Sequence, residues 1–239
     1  MSLALTRESF FWHKVHSLTG IVPVGFYMVQ HLTLNSFSLG GPDKFNGVIL
    51  FFESIPLHLL LLLEIVMIWV PLAFHAIYGL FIAGRAQSNY FSSKYGWSQN
   101  RMYTLQRWSG IFLFFFLIYH VLTTTVAKYL SGSAEGLMYA AWNERLTSLF
   151  GLILIAYMLG VLAGSYHLAY GIWNFCIRWG ITISDSAQNK VQKFSFAFFI
   201  AITLLGWAAL GGFLLNKSGS GSETIRAEAT RPIPAGTAH

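Results

Sequence analysis

The sequence predicts an all-α membrane protein with five transmembrane helices, the first four forming a bundle. Three observations carry this expectation. Of 239 residues, 55% are apolar and only 10% are charged, where a soluble domain carries about 25% charged residues. The aromatic content is 17% and the mean hydropathy +0.55. Five segments, all but free of charge, approach the roughly 20 residues that a helix needs to cross a bilayer.

Taken in order, the helices are expected near 17–36, 57–83, 108–128, 147–176 and 194–215, within one domain spanning 1–216. The second and fourth are long enough to tilt or to project beyond the lipid. The segments between them carry turn-forming residues: "SLGGPDKFNG" (38–47), "SGSAEG" (131–136) and "ITISDSAQ" (181–188). The tail, 217–239, is rich in Gly, Ser, Ala and Pro with mixed charge and is expected to be disordered. Helix 5 carries no charge between Phe194 and Asn216, which suits packing or subunit contact.

Net charge is +6, but the basic residues sit in loops and at helix ends, so the charge reads as topology and lipid-headgroup contact, with no nucleic acid partner. Arg7, Lys14, Arg85, Lys94, Arg101, Arg107, Arg178, Lys190 and Lys193 fall on one side. Lys44, Lys128 and Arg145 fall on the other, with three more in the tail. Positive-inside bias then puts the N-terminus in the cytoplasm and the C-terminus outside. One cysteine, Cys176, excludes an internal disulfide framework and a thiolate cluster. The first apolar run is long and lacks an A-x-A site, so no cleavable signal peptide is expected.

Histidines set the chemistry. There are eight. His239 is in the tail, His58 begins a helix, and His13 and His16 lie at the inner end of helix 1. The other four, His31, His75, His120 and His167, fall one to each of the first four helices. His75 is 10 residues before Arg85 and His167 is 11 before Arg178, so these two share an inner level. His31, 12 before Asp43, and His120, 8 before Lys128, share an outer one. At about 1.5 Å per residue the levels are about 7 to 18 Å apart. Two histidines at one depth on different helices can clamp a flat metallomacrocycle. Neutral imidazole suits iron, haem commonly takes axial histidine, and helix bundles build such sites from facing side chains. The first four helices thus read as a haem-binding bundle. "HAIYG" (75–79) and "HLAYG" (167–171) repeat one arrangement, in which Gly79 and Gly171 follow their histidines by four residues and leave room on that face. The separations, 89 residues from His31 to His120 and 92 from His75 to His167, suggest a duplicated hairpin. A lone intramembrane histidine is more often an interhelical hydrogen-bonding residue; four that pair by depth are not explained that way.

Several stretches carry a family resemblance: "HSLTGIVPVGFYMVQHLTLNSF", "FNGVILFFESIP", "FHAIYGLFIA", "LQRWSGI" and "WGITIS". Over about Arg7 to Phe213 the chain resembles the cytochrome b558 subunits of succinate dehydrogenase, five-helix di-haem anchors of the bacterial cytoplasmic membrane. The resemblance implies two b haems, with iron bound by His31 and His120 in the outer one and by His75 and His167 in the inner one. It implies a flavoprotein subunit and an iron–sulfur subunit docked on the cytoplasmic face, and electron delivery to a quinone, menaquinone in this group. The chain is then enzymatic only within its complex. His16 also matches a family histidine; it reads as a propionate or quinone neighbour at the membrane edge.

Propionates need cations or donors, for which Arg107, Arg178 and His16 stand at inner helix ends, with Ser17, Thr19 and Ser109 as further donors. Positive-inside anchoring explains the arginines equally well. Quinone reduction takes up protons, and Glu53 and Glu64 are the candidate relay; a solvated loop glutamate and an interhelical hydrogen bond are the plainer readings. The rival functions are fumarate reductase, a di-haem quinol-oxidising anchor of another respiratory complex, and a haem-free transporter or assembly factor. Pro23 and Pro71 do not form the pair of broken helices that transport would need.

Overall fold

A computed structural model of the protein describes the backbone over residues 2–85 and 98–215 and side chains over 10–85 and 100–215. The tail from 217, Lys94 and most of the first inner loop lie outside the described residues. Every regular element described is helical, and four helices are long and apolar enough to cross a membrane: Leu57–Arg85, Asn100–Ser131, Leu149–Arg178 and Asp185–Leu215. The all-α membrane bundle expected from composition is the fold observed.

Helix boundaries depart from the apolar runs, for physical reasons. The first expected helix, 17–36, is a longer rod broken in the middle: α1 (Ser2–Ile21) and α2 (Val24–Asn35). Pro23 has no N–H to donate and its ring crowds the carbonyl four residues earlier, so the rod breaks there. α2 runs into a 3₁₀ turn, Ser36–Gly40, and then into a surface helix, α3 (Pro42–Glu53). Its Pro42 occupies the first helical position, where a missing N–H costs nothing. The stretch read as a linker at 38–47 is thus half helix.

The second span is α4 (Leu57–Glu64), a wide π turn (Ile65–Trp69) and α5 (Val70–Arg85). Pro71 lies two residues beyond that turn; the looser winding absorbs the lost hydrogen bond and keeps the span continuous. The third span is α6 (Ser98–Val121), a second π turn (Leu122–Val126) and α7 (Ala127–Ser131). Here the hydroxyl of Thr124 donates to the carbonyl of His120 at 2.5 Å, a side-chain bond inserted into the ladder. A surface helix, α8 (Tyr139–Thr147), leads to α9 (Leu152–Arg178). α10 (Asp185–Leu215) starts nine residues before its apolar run. Ser184 caps it by accepting from the Ala187 N–H at 3.2 Å, and Asp185 sits at the positive end of the helix dipole.

α9 is the central element, packed against α1, α6, α8 and α10. The densest apolar packing is at the end of the bundle that carries α3 and α8, where Phe45, Tyr139, Trp142, Leu146, Tyr157, Leu210 and Phe213 form one cluster. Tyr139 is fully buried and its hydroxyl donates to the Gly212 carbonyl at 2.5 Å. Ser38 donates to the Ala209 carbonyl at 2.6 Å, while Gly212 leaves space for the Ser38–Leu39 backbone: a Cβ there would lie 2.7 Å from the Leu39 nitrogen. That end is densely packed. The middle of the bundle is hollow.

Candidate cofactor site: two histidine pairs in one cavity

A cavity of about 450 Å³ runs through the bundle and is lined by all four helix-borne histidines, together with His16, Glu64, Gly79, Arg107, Gly171 and Arg178. The structure brings the histidines together in two pairs. The rings of His31 on α2 and His120 on α6 have centroids 5.8 Å apart and planes at 83°. Those of His75 on α5 and His167 on α9 are 6.1 Å apart at 90°.

Three of the four rings have a partner at their second nitrogen. Nδ1–H of His75 donates to the carbonyl of His16 at 2.9 Å. Nδ1–H of His167 donates to the carbonyl of Gln106 at 3.1 Å, and the Gln106 amide returns a bond to the carbonyl of His167 at 3.1 Å. A carbonyl can only accept, so the proton on both rings sits on Nδ1 and the lone pair on Nε2. Nδ1 of His120 is 3.2 Å from the hydroxyl of Tyr157. Orientation of a ligating imidazole through its other nitrogen is the usual second layer of a metal site. His31 is placed by its helix and by Tyr27, whose ring is 5.6 Å away.

The donor set tests what the pairs can hold. Among the described residues no group of three or more His, Cys, Asp or Glu could bind a metal ion. Each pair offers two nitrogens, so a six-coordinate metal needs four further donors from a ligand of its own, as in a porphyrin. Two imidazoles bound through Nε2 at about 2.0 Å each put their ring centroids about 6 Å apart, and both pairs have that spacing. The residues present fit a haem at each level.

Glycine also provides clearance for the imidazole rings of the inner pair, from helices other than the histidines' own. Gly20 on α1 faces the His75 ring so closely that a Cβ would overlap it, and a Cβ on Gly110 of α6 would lie 2.9 Å from Cε1 of His167. Gly79 faces His16 instead, with Nε2 at 3.1 Å from its Cβ position, and Gly171 has ordinary room beside Gln106 and Ile21. Gly20 and Gly110 are separated by 90 residues, the spacing of the histidine pairs, and stand in "TGI" and "SGI". That repeat was the signal available for them.

The ring of His16 stacks on that of His75 at 4.1 Å and 6°. Ser109 Oγ lies 3.2 Å from Nδ1 of His167, while Ser17 and Thr19 bond to their own helix carbonyls. Arg107 rests on the Tyr103 ring at 4.9 Å and, like Arg178, lines the cavity. The two acids separate. Glu53 pairs with Lys128 outside the cavity. Glu64 lines it, accepting from the Tyr129 hydroxyl at 3.0 Å and from the Trp69 indole at 3.5 Å. Lys128 and Tyr129 are consecutive on α7, so the two carboxylates hang from one turn of helix.

A sequence model of the family described as "Succinate dehydrogenase/Fumarate reductase transmembrane subunit" matches residues 91–208. Along 208 residues the chain is 33% identical to the protein of Bacillus subtilis (strain 168) named "Succinate dehydrogenase cytochrome b558 subunit", a stretch covering 87% of this chain and 98% of that protein.

Proposed function

The chain belongs to the succinate dehydrogenase cytochrome b558 family of transmembrane subunits, and from that premise we propose that it joins succinate oxidation to quinone reduction through two bis-histidine b haems. The observation that carries this reading is the pair of cross-helix histidine contacts, 5.8 and 6.1 Å between centroids, at two depths of one cavity. When bound, a b haem at each level supplies a one-electron carrier.

The protein's own residues do the rest. His31 and His120 offer axial nitrogens at the outer level, His75 and His167 at the inner one. The carbonyls of His16 and Gln106 hold the inner rings to one tautomer and so keep Nε2 free to bind metal. Arg107, Arg178 and His16 supply cations and a donor where propionate carboxylates would approach the inner interface. Glu64 is the carboxyl placed to exchange protons with a quinone beside the outer pair, its oxygen held by Tyr129 and Trp69. Glu53, tied to Lys128, stands on the outer approach to it. The quinone is menaquinone in this reading.

The chain is a multi-pass membrane subunit. We place its N-terminus in the cytoplasm from the distribution of Lys and Arg, with the flavoprotein and iron–sulfur subunits docked on that side. The direction of flow is read as succinate oxidation, though the matching family description covers fumarate reductase as well. Succinate added to the purified complex should reduce haem and copurifying flavin together. A complex that carries haem but is not reduced by succinate overturns the assignment of direction and partners.

A further inference from the structure

A second hollow, a groove of about 360 Å³, lies between α2 and α3 and shares no lining residue with the histidine cavity. Its walls follow from helical spacing. Gln30, Leu34 and Phe37 recur at i, i+4 and i+7 along α2 and the turn after it, and Lys44, Val48 and Phe51 do so along α3. Each wall therefore carries one polar side chain and an apolar stripe. Phe37 is 45% exposed and Phe51 63%, so the groove is open on the surface of the bundle.

Three of its residues are not explained by contacts within the chain. Lys128 is tied to Glu53, and Arg145 donates to the carbonyls of Thr123 and Gly136. Lys44 is exposed and has no such partner among the described residues. Its stem lies against Gly40, where a Cβ would overlap it, so the lysine is placed while its charge is left unused. Gln30 is exposed on α2, and its amide makes no hydrogen bond among the described residues, a costly state where hydrocarbon replaces water. Gly47 lies inside α3, where glycine weakens a helix relative to alanine. Nothing in the chain comes within 4 Å of the place its Cβ would take. The fold has no steric need of a glycine there; a molecule lying in the groove does.

We propose that the groove is a site for one anionic phospholipid from the leaflet at this end of the bundle. Its phosphate meets the Lys44 ammonium, an ester carbonyl accepts from the Gln30 amide, and an acyl chain lies over Gly47 between Leu34 and Val48. A free phosphate would leave the apolar walls uncovered, and a zwitterionic lipid would leave the lysine without a net counter-charge. One basic side chain beside an anionic headgroup selects for charge by about fivefold. The proposal needs the chain to span a membrane and is independent of the haem reading.

The test is native mass spectrometry of the whole complex, delipidated in detergent and titrated with phosphatidylglycerol or phosphatidylcholine. Wild type should hold one phosphatidylglycerol per chain about fivefold more tightly than phosphatidylcholine. Lys44→Gln should bring that site to equal affinity for the two. Gly47→Leu fills the groove from open space and should lose the bound lipid of either kind. Should Gly47→Leu fail to assemble, Lys44→Gln decides alone. No preference for phosphatidylglycerol in wild type, a preference that survives Lys44→Gln, or unchanged binding in Gly47→Leu overturns the proposal. Loss of a copurifying quinone, or of a second copy of the complex, in Gly47→Leu with phospholipid unmoved overturns it too and gives the groove to that occupant.

Discussion

Gly110 and His167 meet ring to backbone: a Cβ at Gly110 would stand 2.9 Å from Cε1 of the imidazole. No real side chain tolerates that approach, so the histidine sits where it does because α6 has no side chain there. Gly110→Ala should push the His167 ring out of line, and a bulkier Gly110→Val more so. Overpacking of this kind costs about 1 to 3 kcal/mol. The readout is haem occupancy: the inner level should empty in Gly110→Val while the outer level stays filled. Full occupancy of both levels would show that the close contact does not matter.

The second prediction uses ring orientation. The imidazole planes cross at 83° in the outer pair and 90° in the inner one. Crossed planes leave the two iron d orbitals that bond to them nearly equal in energy, and the ferric low-spin signal becomes strongly anisotropic. Electron paramagnetic resonance of the oxidised protein should show two such signals. Ordinary rhombic spectra, the mark of parallel rings, would contradict the geometry.

Glu64 gives the third. Its carboxylate accepts from Tyr129 and Trp69 within the cavity, while Glu53 is engaged with Lys128 outside it. Glu64→Gln keeps the shape and removes the proton exchange, so quinone-dependent turnover should fall by about 10²-fold or more. Haem reduction by succinate should persist in the same variant, since that step needs no carboxyl at the outer level. Glu53→Gln should have the smaller effect. Equal turnover in wild type and Glu64→Gln would remove this residue from the relay.

Much of the site was legible because charge marks depth in a membrane. Counting from Arg85 and Arg178 put His75 beside His167, and counting from Asp43 and Lys128 put His31 beside His120. The same counting could not find α3 and α8, which lie on the outer surface, where a helix needs only one apolar face and can follow Gly-rich turns. Nor could it show that α6 and α10 extend past their apolar runs, because backbone hydrogen bonds continue into water as readily as in lipid. Nor could counting show that the packing of α1 against α5 lays the His16 ring on His75. Gly79 and Gly171 drew notice through their own histidines' helix. Clearance came from across the interface, from Gly20 and Gly110, and such contacts leave no trace in spacing along one helix.

The central claim is that two histidine pairs each hold one haem, and the most direct measurement is haem per chain in wild type against His75→Ala. Two haems in wild type and one in the variant, with the remaining signal belonging to His31 and His120, is the result the account predicts. Two haems at full occupancy in His75→Ala, or fewer than two in wild type, would contradict it.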